Sequence, residues 1–122
     1  MTAVAHILLI DDQPKAIEFL EFRLRQAGYR ITLAQNGELG LQSARVDPPS
    51  AVVLDVTMPE LNGYQTCREL KKMRPDLPVI MLTGKTEPAD RFWAMECGAD
   101  DFLTKPVDPA LVLEKLAGLL RA

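Results

Sequence analysis

A chain of 122 residues with 48% hydrophobic and 25% charged side chains can bury one core of its own and has an ordinary globular composition. Its net charge of −3 argues against a dedicated nucleic-acid binder, which carries a basic face, and no stretch approaches the ~20 apolar residues of a membrane span. Cys67 and Cys97 form no metal-binding or redox spacing, and MTAVAHILLI lacks the basic start of a signal peptide, so we expect a cytoplasmic domain with reduced thiols.

Short apolar runs alternate with amphipathic stretches in five strand-then-helix repeats. The first strand is expected over Ala5 to Ile10, and lone His6 reads as a strand-edge residue. Ile17, Leu20, Leu24 and Ala27 then fall at helical spacing, with Gly28 as the stop. A second strand over Ile31 to Ala34 leads into a helix from Gly37 to Arg45, with Asn36 as its cap. AVVL (Ala51 to Leu54) and VIML (Val79 to Leu82) are apolar throughout, as befits parallel strands covered on both faces. Between them a helix runs from about Tyr64 to Met73, ended by Pro75, and its basic CRELKKMRP reads as a solvated face. A fourth helix is expected from about Pro88 to Cys97, closed by Gly98, and a fifth strand over Asp101 to Leu103. Asp108-Pro109 caps and opens the last helix, whose apolar stripe is Leu111, Leu116, Leu119 and Leu120. VDPPSA is a stiff connection and no domain boundary, so residues 1–122 are read as a single α/β domain with a doubly wound parallel sheet.

In such a sheet ligands gather at the carboxyl ends of the strands. The first strand ends there in Asp11-Asp12, the third in Asp55, the fourth in Thr83-Gly84 and the fifth in Lys105-Pro106. Taken singly, Asp11 or Asp12 is a helix cap, Asp55 a turn acid, Thr83 a backbone-bonded hydroxyl and Lys105 a solvated charge. Four such features on one rim favour a site. The doubled aspartate needs a reason, since like charges about 4 Å apart repel by roughly 1 kcal/mol in water and about 4 kcal/mol at an effective dielectric near 20.

Asp11-Asp12, Asp55 with Met58-Pro59 and Gly63, Thr83-Gly84 and GADDFLTKP (Gly98 to Pro106), in this order and spacing, resemble the receiver domains of two-component response regulators over nearly the whole chain. The resemblance implies a flavodoxin-like five-stranded sheet of order 2-1-3-4-5, which would bring the three aspartates together. It further implies that Asp55 accepts a phosphoryl group from a kinase phosphohistidine. Asp12, Asp55 and the carbonyl of Thr57 would bind Mg²⁺ directly and Asp11 through water, while Lys105 would contact the transferred oxygens. Thr83 would move to bond the phosphoryl group as an aromatic, here Phe102, turns inward; read from composition alone, Phe102 is ordinary core. The implied partners are a sensor histidine kinase or histidine phosphotransfer protein and a downstream protein target, with no direct DNA binding and no membrane.

The output face in this family is usually the fourth helix, fifth strand and fifth helix. Phe92 and Trp93, about 100° apart on a helix, either lend one ring to a partner surface or both line the core margin. The pair after TEPAD, followed by TKPVD, is similar to chemotaxis-type regulators and those of twitching motility. Thr57 and Lys85 stand two residues beyond Asp55 and Thr83, at positions that in this family tune water access to the phosphoaspartate, so the resemblance implies that Lys85 would either strengthen phosphoryl binding or compete with Mg²⁺. An aspartate-based phosphatase of the dehalogenase type is the enzymatic rival, but it needs an acid where Thr57 stands. We therefore expect a signalling module and no enzyme, against two alternatives: a receiver-like docking module never phosphorylated, or a receiver excised from a longer regulator.

Overall fold

The computed structural model describes residues 4–55, 63–84, 92 and 95–121. Five parallel strands, β1 (His6–Ile10), β2 (Arg30–Ala34), β3 (Ala51–Asp55), β4 (Val79–Thr83) and β5 (Asp101–Thr104), pair in the order β2-β1-β3-β4-β5. The helices are α1 (Glu18–Gln26), α2 (Gly37–Val46), α3 (Gly63–Met73) and α4 (Pro109–Arg121), with a 3-10 turn over Pro14–Ile17 leading into α1. This is the expected α/β flavodoxin-like arrangement. No helix among the described residues is long and apolar enough to cross a membrane.

The three central strands are buried along their whole length, which is why HILLI, AVVL and VIML carry no polar alternation. Side chains of a strand point alternately to the two faces and so divide the core in two. Leu8, Ile10, Val52, Leu54 and Met81 pack with Leu41, Ala44, Cys67 and Leu70 of α2 and α3. Ile7, Leu9, Val53, Ile80 and Leu82 pack with Leu20, Leu24, Val112 and Leu116 of α1 and α4. Edge strands β2 and β5 keep exposed positions.

The caps are chemical. Asn36 Oδ1 accepts from Leu39 N–H at 2.8 Å, and Asp108 Oδ1 accepts from Ala110 N–H at 2.9 Å. Gly28, at φ +101°, closes α1: its N–H donates to Arg25 O and Tyr29 N–H donates to Leu24 O, which satisfies the last carbonyls.

Three sequence expectations change. The first helical pattern splits into a 3-10 turn and α1, and Ala27 lies on the exposed cap instead of the buried stripe. On α4 the seam is Val112 with Leu116, while Leu111 is 37% exposed. His6 is no edge residue: β1 is flanked by β2 and β3, and the buried imidazole shares a 2.7 Å hydrogen bond with Thr32 Oγ1. Of the expected fourth helix, Phe92, Met95 and Glu96 are helical; Trp93 lies outside the described residues.

At Gly40 of α2 the helix comes close against Ile10 of β1. A Cβ added there would collide with Ile10 Cδ1 and lie 2.8 Å from Ile10 Cγ1, atoms of a β-branched chain with little rotamer freedom. Gly40→Ala therefore combines a helix-propensity gain of about 1 kcal/mol with an overpacking loss of about 1 to 3 kcal/mol. We expect a net loss on the order of 1 kcal/mol in urea unfolding, partly recovered when Ile10→Val is added. A more stable Gly40→Ala protein would show that α2 can lift off β1 without penalty.

Candidate functional site

The strand order puts β1 beside β3, so the residues that end them share one pocket. Asp11 continues the sheet ladder through its N–H to Ala34 O at 3.0 Å. Its Oδ1 accepts the Gln13 N–H at 2.8 Å, which turns the chain toward the 3-10 segment. Asp55, the last residue of β3, is 2% exposed, and Asp11 is 3% exposed. Asp12 faces solvent, yet one oxygen from each of the three carboxylates lies within 4.8 Å of the others.

Lys105 arrives from the other side. Its main chain is held by the Lys105 N–H to Thr83 O bond at 2.6 Å, just past β5. The half-buried side chain places Nζ 3.0 Å from Asp55 Oδ2 and 3.8 Å from Asp11 Oδ2. Thr83 ends β4 fully buried. By strand alternation from Met81 it points to the α2–α3 face, as does Phe102, which pairs with Met81 and packs partly buried against the same core layer.

Among the described residues, one ammonium against three carboxylates leaves an excess of negative charge. Burial pushes the Asp11 carboxyl up to about 6, and the neighbouring Asp55 charge adds to it, against the opposing pull of the Gln13 N–H and the Lys105 ammonium. Asp11 Oδ2 is buried and has no hydrogen-bond partner among the described residues. A hard, all-oxygen donor set with surplus charge and an unsatisfied buried oxygen suits a small divalent cation. The residues fit that group.

All of Asp11, Asp12, Asp55, Thr83 and Lys105 thus meet at the carboxyl edge of the sheet; Thr57 and Lys85 lie outside the described residues. The sequence reading missed the ground beside them. A cavity of about 290 Å³ lined by Ile17, Leu20, Leu82, Lys105 and Pro106 opens next to the lysine, and Phe19 on its rim is 62% exposed. Phe22, one helical turn on, is exposed as well. The signal was present as phenylalanines beside, and off, the Ile17–Leu20–Leu24 stripe.

Comparison with known proteins agrees with this geometry. Residues 7–117 match the response regulator receiver domain family. The chain is 36% identical over 115 residues to the alkaline phosphatase synthesis transcriptional regulatory protein PhoP of Bacillus subtilis, a match covering 94% of this chain and 48% of that protein. It spans about half the length of the curated relatives it matches. A CheY-like response regulator receiver domain protein from Methanospirillum hungatei superimposes with a TM-score of 0.92 at 26% identity, covering 98% of this chain and 95% of the other. The chemotaxis protein CheY4 of Vibrio cholerae gives 0.90 at 27% identity, covering 96% and 99%. With the sheet order, the acidic pocket and the family match in agreement, the chain belongs to the response regulator receiver domains, phosphorylation-activated signalling modules of two-component systems.

Proposed function

We propose that Asp55 is the phosphoacceptor of this receiver and that residues 1–122 work as one cytoplasmic signalling unit that turns over no substrate of its own. The observation that carries the reading is the contact of Lys105 Nζ with Asp55 Oδ2 at 3.0 Å inside the three-aspartate pocket. An Asp55 carboxylate oxygen attacks the phosphorus of a phosphohistidine on a histidine kinase or phosphotransfer protein. The P–N bond breaks and its electron pair returns to the imidazole. Asp12 and Asp55, with Asp11 at one remove and the Thr57 carbonyl, would hold Mg²⁺, which when bound neutralises charge on the transferred oxygens. Lys105 steadies those oxygens from the opposite side, and the pocket orients the acceptor for in-line attack.

The new group carries nearly two negative charges, to which the Thr83 hydroxyl donates once it reorients; Phe102 then follows inward on the same face of the sheet. Output passes through protein contacts around Phe92, β5 and α4, and the net charge of −3 supports a protein target over direct contact with DNA. The donor reaches Asp55 across the exposed apolar ground of Phe19 and Pro106.

Three outcomes are expected. Incubation with acetyl phosphate and Mg²⁺ adds one phosphoryl mass to the protein and none to Asp55→Asn; phosphorylation of that variant at wild-type yield would remove Asp55 from the role. Phe19→Ala slows transfer from a histidine kinase roughly tenfold, about 1.4 kcal/mol, and leaves the acetyl phosphate rate unchanged. Equal slowing of both reactions would place Phe19 in the chemistry or the fold instead of in docking.

The third concerns pH. The Asp11 carboxyl titrates near 6 in the fold against 3.8 in the unfolded chain, so the folded state holds more protons between those values and loses stability as pH rises through them. Without metal, Asp11→Asn should match the wild type below about pH 4 and exceed it at pH 7 by on the order of 2 kcal/mol. Added Mg²⁺ should reverse that order, because it stabilises the protein that binds it better. A less stable Asp11→Asn at pH 7 without metal would mean that the Lys105 ion pair outweighs the burial cost.

A further inference from the structure

Two cysteines in the α2–α3 core layer take no part in the site. Cys67 lies on the buried face of α3 and Cys97 just before Gly98, and both are free thiols. The Cys67 S–H donates to the Cys97 carbonyl at 3.5 Å and the Cys97 S–H to Met81 Sδ at 3.9 Å. The Cys67 sulfur thus lies against the main chain of Cys97, and both side chains belong to one core layer.

The main chain keeps them there. Gly98, at φ +96°, has no room for a side chain without pressing on Lys71 Cγ, which would lie 3.2 Å from an added Cβ. Lys71 Nζ is 2.7 Å from Asp100 Oδ2, and the same oxygen accepts the Val79 N–H at 2.8 Å. So α3, the end of the helical turn at Cys97 and the start of β4 are locked in one register. A buried cysteine is by default a small apolar side chain. Two that a braced main chain sets against each other are also poised to react together. The two differ in acidity: the Cys67 S–H supports a thiolate on Cys97 and draws that thiol down to about 7, while the same bond and burial push Cys67 up.

We propose that Cys67 and Cys97 form a hydroperoxide-sensitive dithiol site whose oxidation joins α3 to the turn before β5 through an intramolecular disulfide. Cys97, the less deeply buried of the two, supplies the thiolate. It attacks one oxygen of a hydroperoxide, the O–O bond breaks and hydroxide leaves, giving a sulfenic acid. The Cys67 sulfur then attacks the Cys97 sulfur; the Cys67 proton and the departing hydroxyl leave as water. With hydrogen peroxide the balance is two thiols and one peroxide to one disulfide and two waters. Phe102 packs against this same core layer, so the bond forms in the layer that holds the aromatic side chain of the proposed switch. The site does not depend on the phosphoacceptor reading.

The test is peroxide treatment of the reduced, folded 122-residue chain at neutral pH, followed by intact mass and non-reducing peptide mapping. The expected result is the loss of two hydrogens and one peptide pair linked through Cys67 and Cys97. In Cys67→Ala the reaction should stop at a dimedone-reactive sulfenic acid on Cys97. The wild-type chain carries the decisive measurement, so a variant that fails to fold leaves the test intact. A folded protein that keeps both thiols, gains oxygen on either cysteine without the cross-link, or links only to a second copy overturns the proposal.

Discussion

Most of what this domain does follows from the pairing of β1 with β3. That pairing places two buried carboxylates, Asp11 and Asp55, at neighbouring strand ends, where water cannot separate their charges. Repulsion of this kind is tolerated in a fold only if something offsets it. The Lys105 ammonium, 3.0 Å from Asp55 and 3.8 Å from Asp11, offsets part; burial first, and the remaining Asp55 charge after it, keep the Asp11 carboxyl raised. The pocket is thus built to take up positive charge, which is the condition a phosphoryl acceptor needs before it can receive more negative charge.

The two-layer core gives that pocket a direction in which to signal. Ile80 and Leu82 on β4 face α1 and α4, while Met81 faces α2 and α3. Thr83 follows Met81 by two residues and Phe102 pairs with it across the ladder, so both belong to the α2–α3 side. A change in the hydroxyl at the rim is therefore felt first in the layer that holds Phe102, Cys97 and Cys67, and only indirectly in the layer against α1. The apolar ground of Phe19 and Pro106 lies on the opposite side, next to Lys105. On the proposed reading, the donor docks on the α1 side while the Phe102 switch lies in the α2–α3 layer, and the two meet at α4, which packs against α1 and carries part of the output face.

How much of this a single sequence discloses depends on the range of the interaction. Period and capping are local, so the apolar runs ILLI, AVVL and VIML, the Asn36 and Asp108 caps and the Gly28 stop could all be read directly. Strand order is not local; it came from the resemblance carried by the strand-end residues. Where two readings compete within one turn, the tertiary contact decides. Leu111 and Val112 are adjacent and both apolar, and only packing into the α1–α4 core layer selects Val112. His6 looks like an edge residue until β1 proves to be internal, and Cys67 and Cys97 look unrelated until α3 and the turn before β5 are brought together.

The energetics of the switch set a limit on what the pocket can do alone. Moving a two-state equilibrium from 1:99 to 99:1 takes about 5.5 kcal/mol of differential interaction. Hydrogen bonds to a charged group contribute roughly 1.5 to 3 kcal/mol each. On the proposed reading, the donors to a phosphoryl group on Asp55 among the described residues are Lys105, already in contact, and Thr83, one strand away. Because Lys105 is bonded to Asp55 before transfer, its contribution is a difference between two ion pairs and falls below the full range. On the same reading Thr83 and the repacking of Phe102 supply the rest of the bias, and the Thr83 bond alone, at roughly 1.5 to 3 kcal/mol, is short of about 5.5 kcal/mol. A partner that binds only the inward arrangement of Phe102 would complete the shift, so affinity for the target and occupancy of the active state are linked quantities in this receiver.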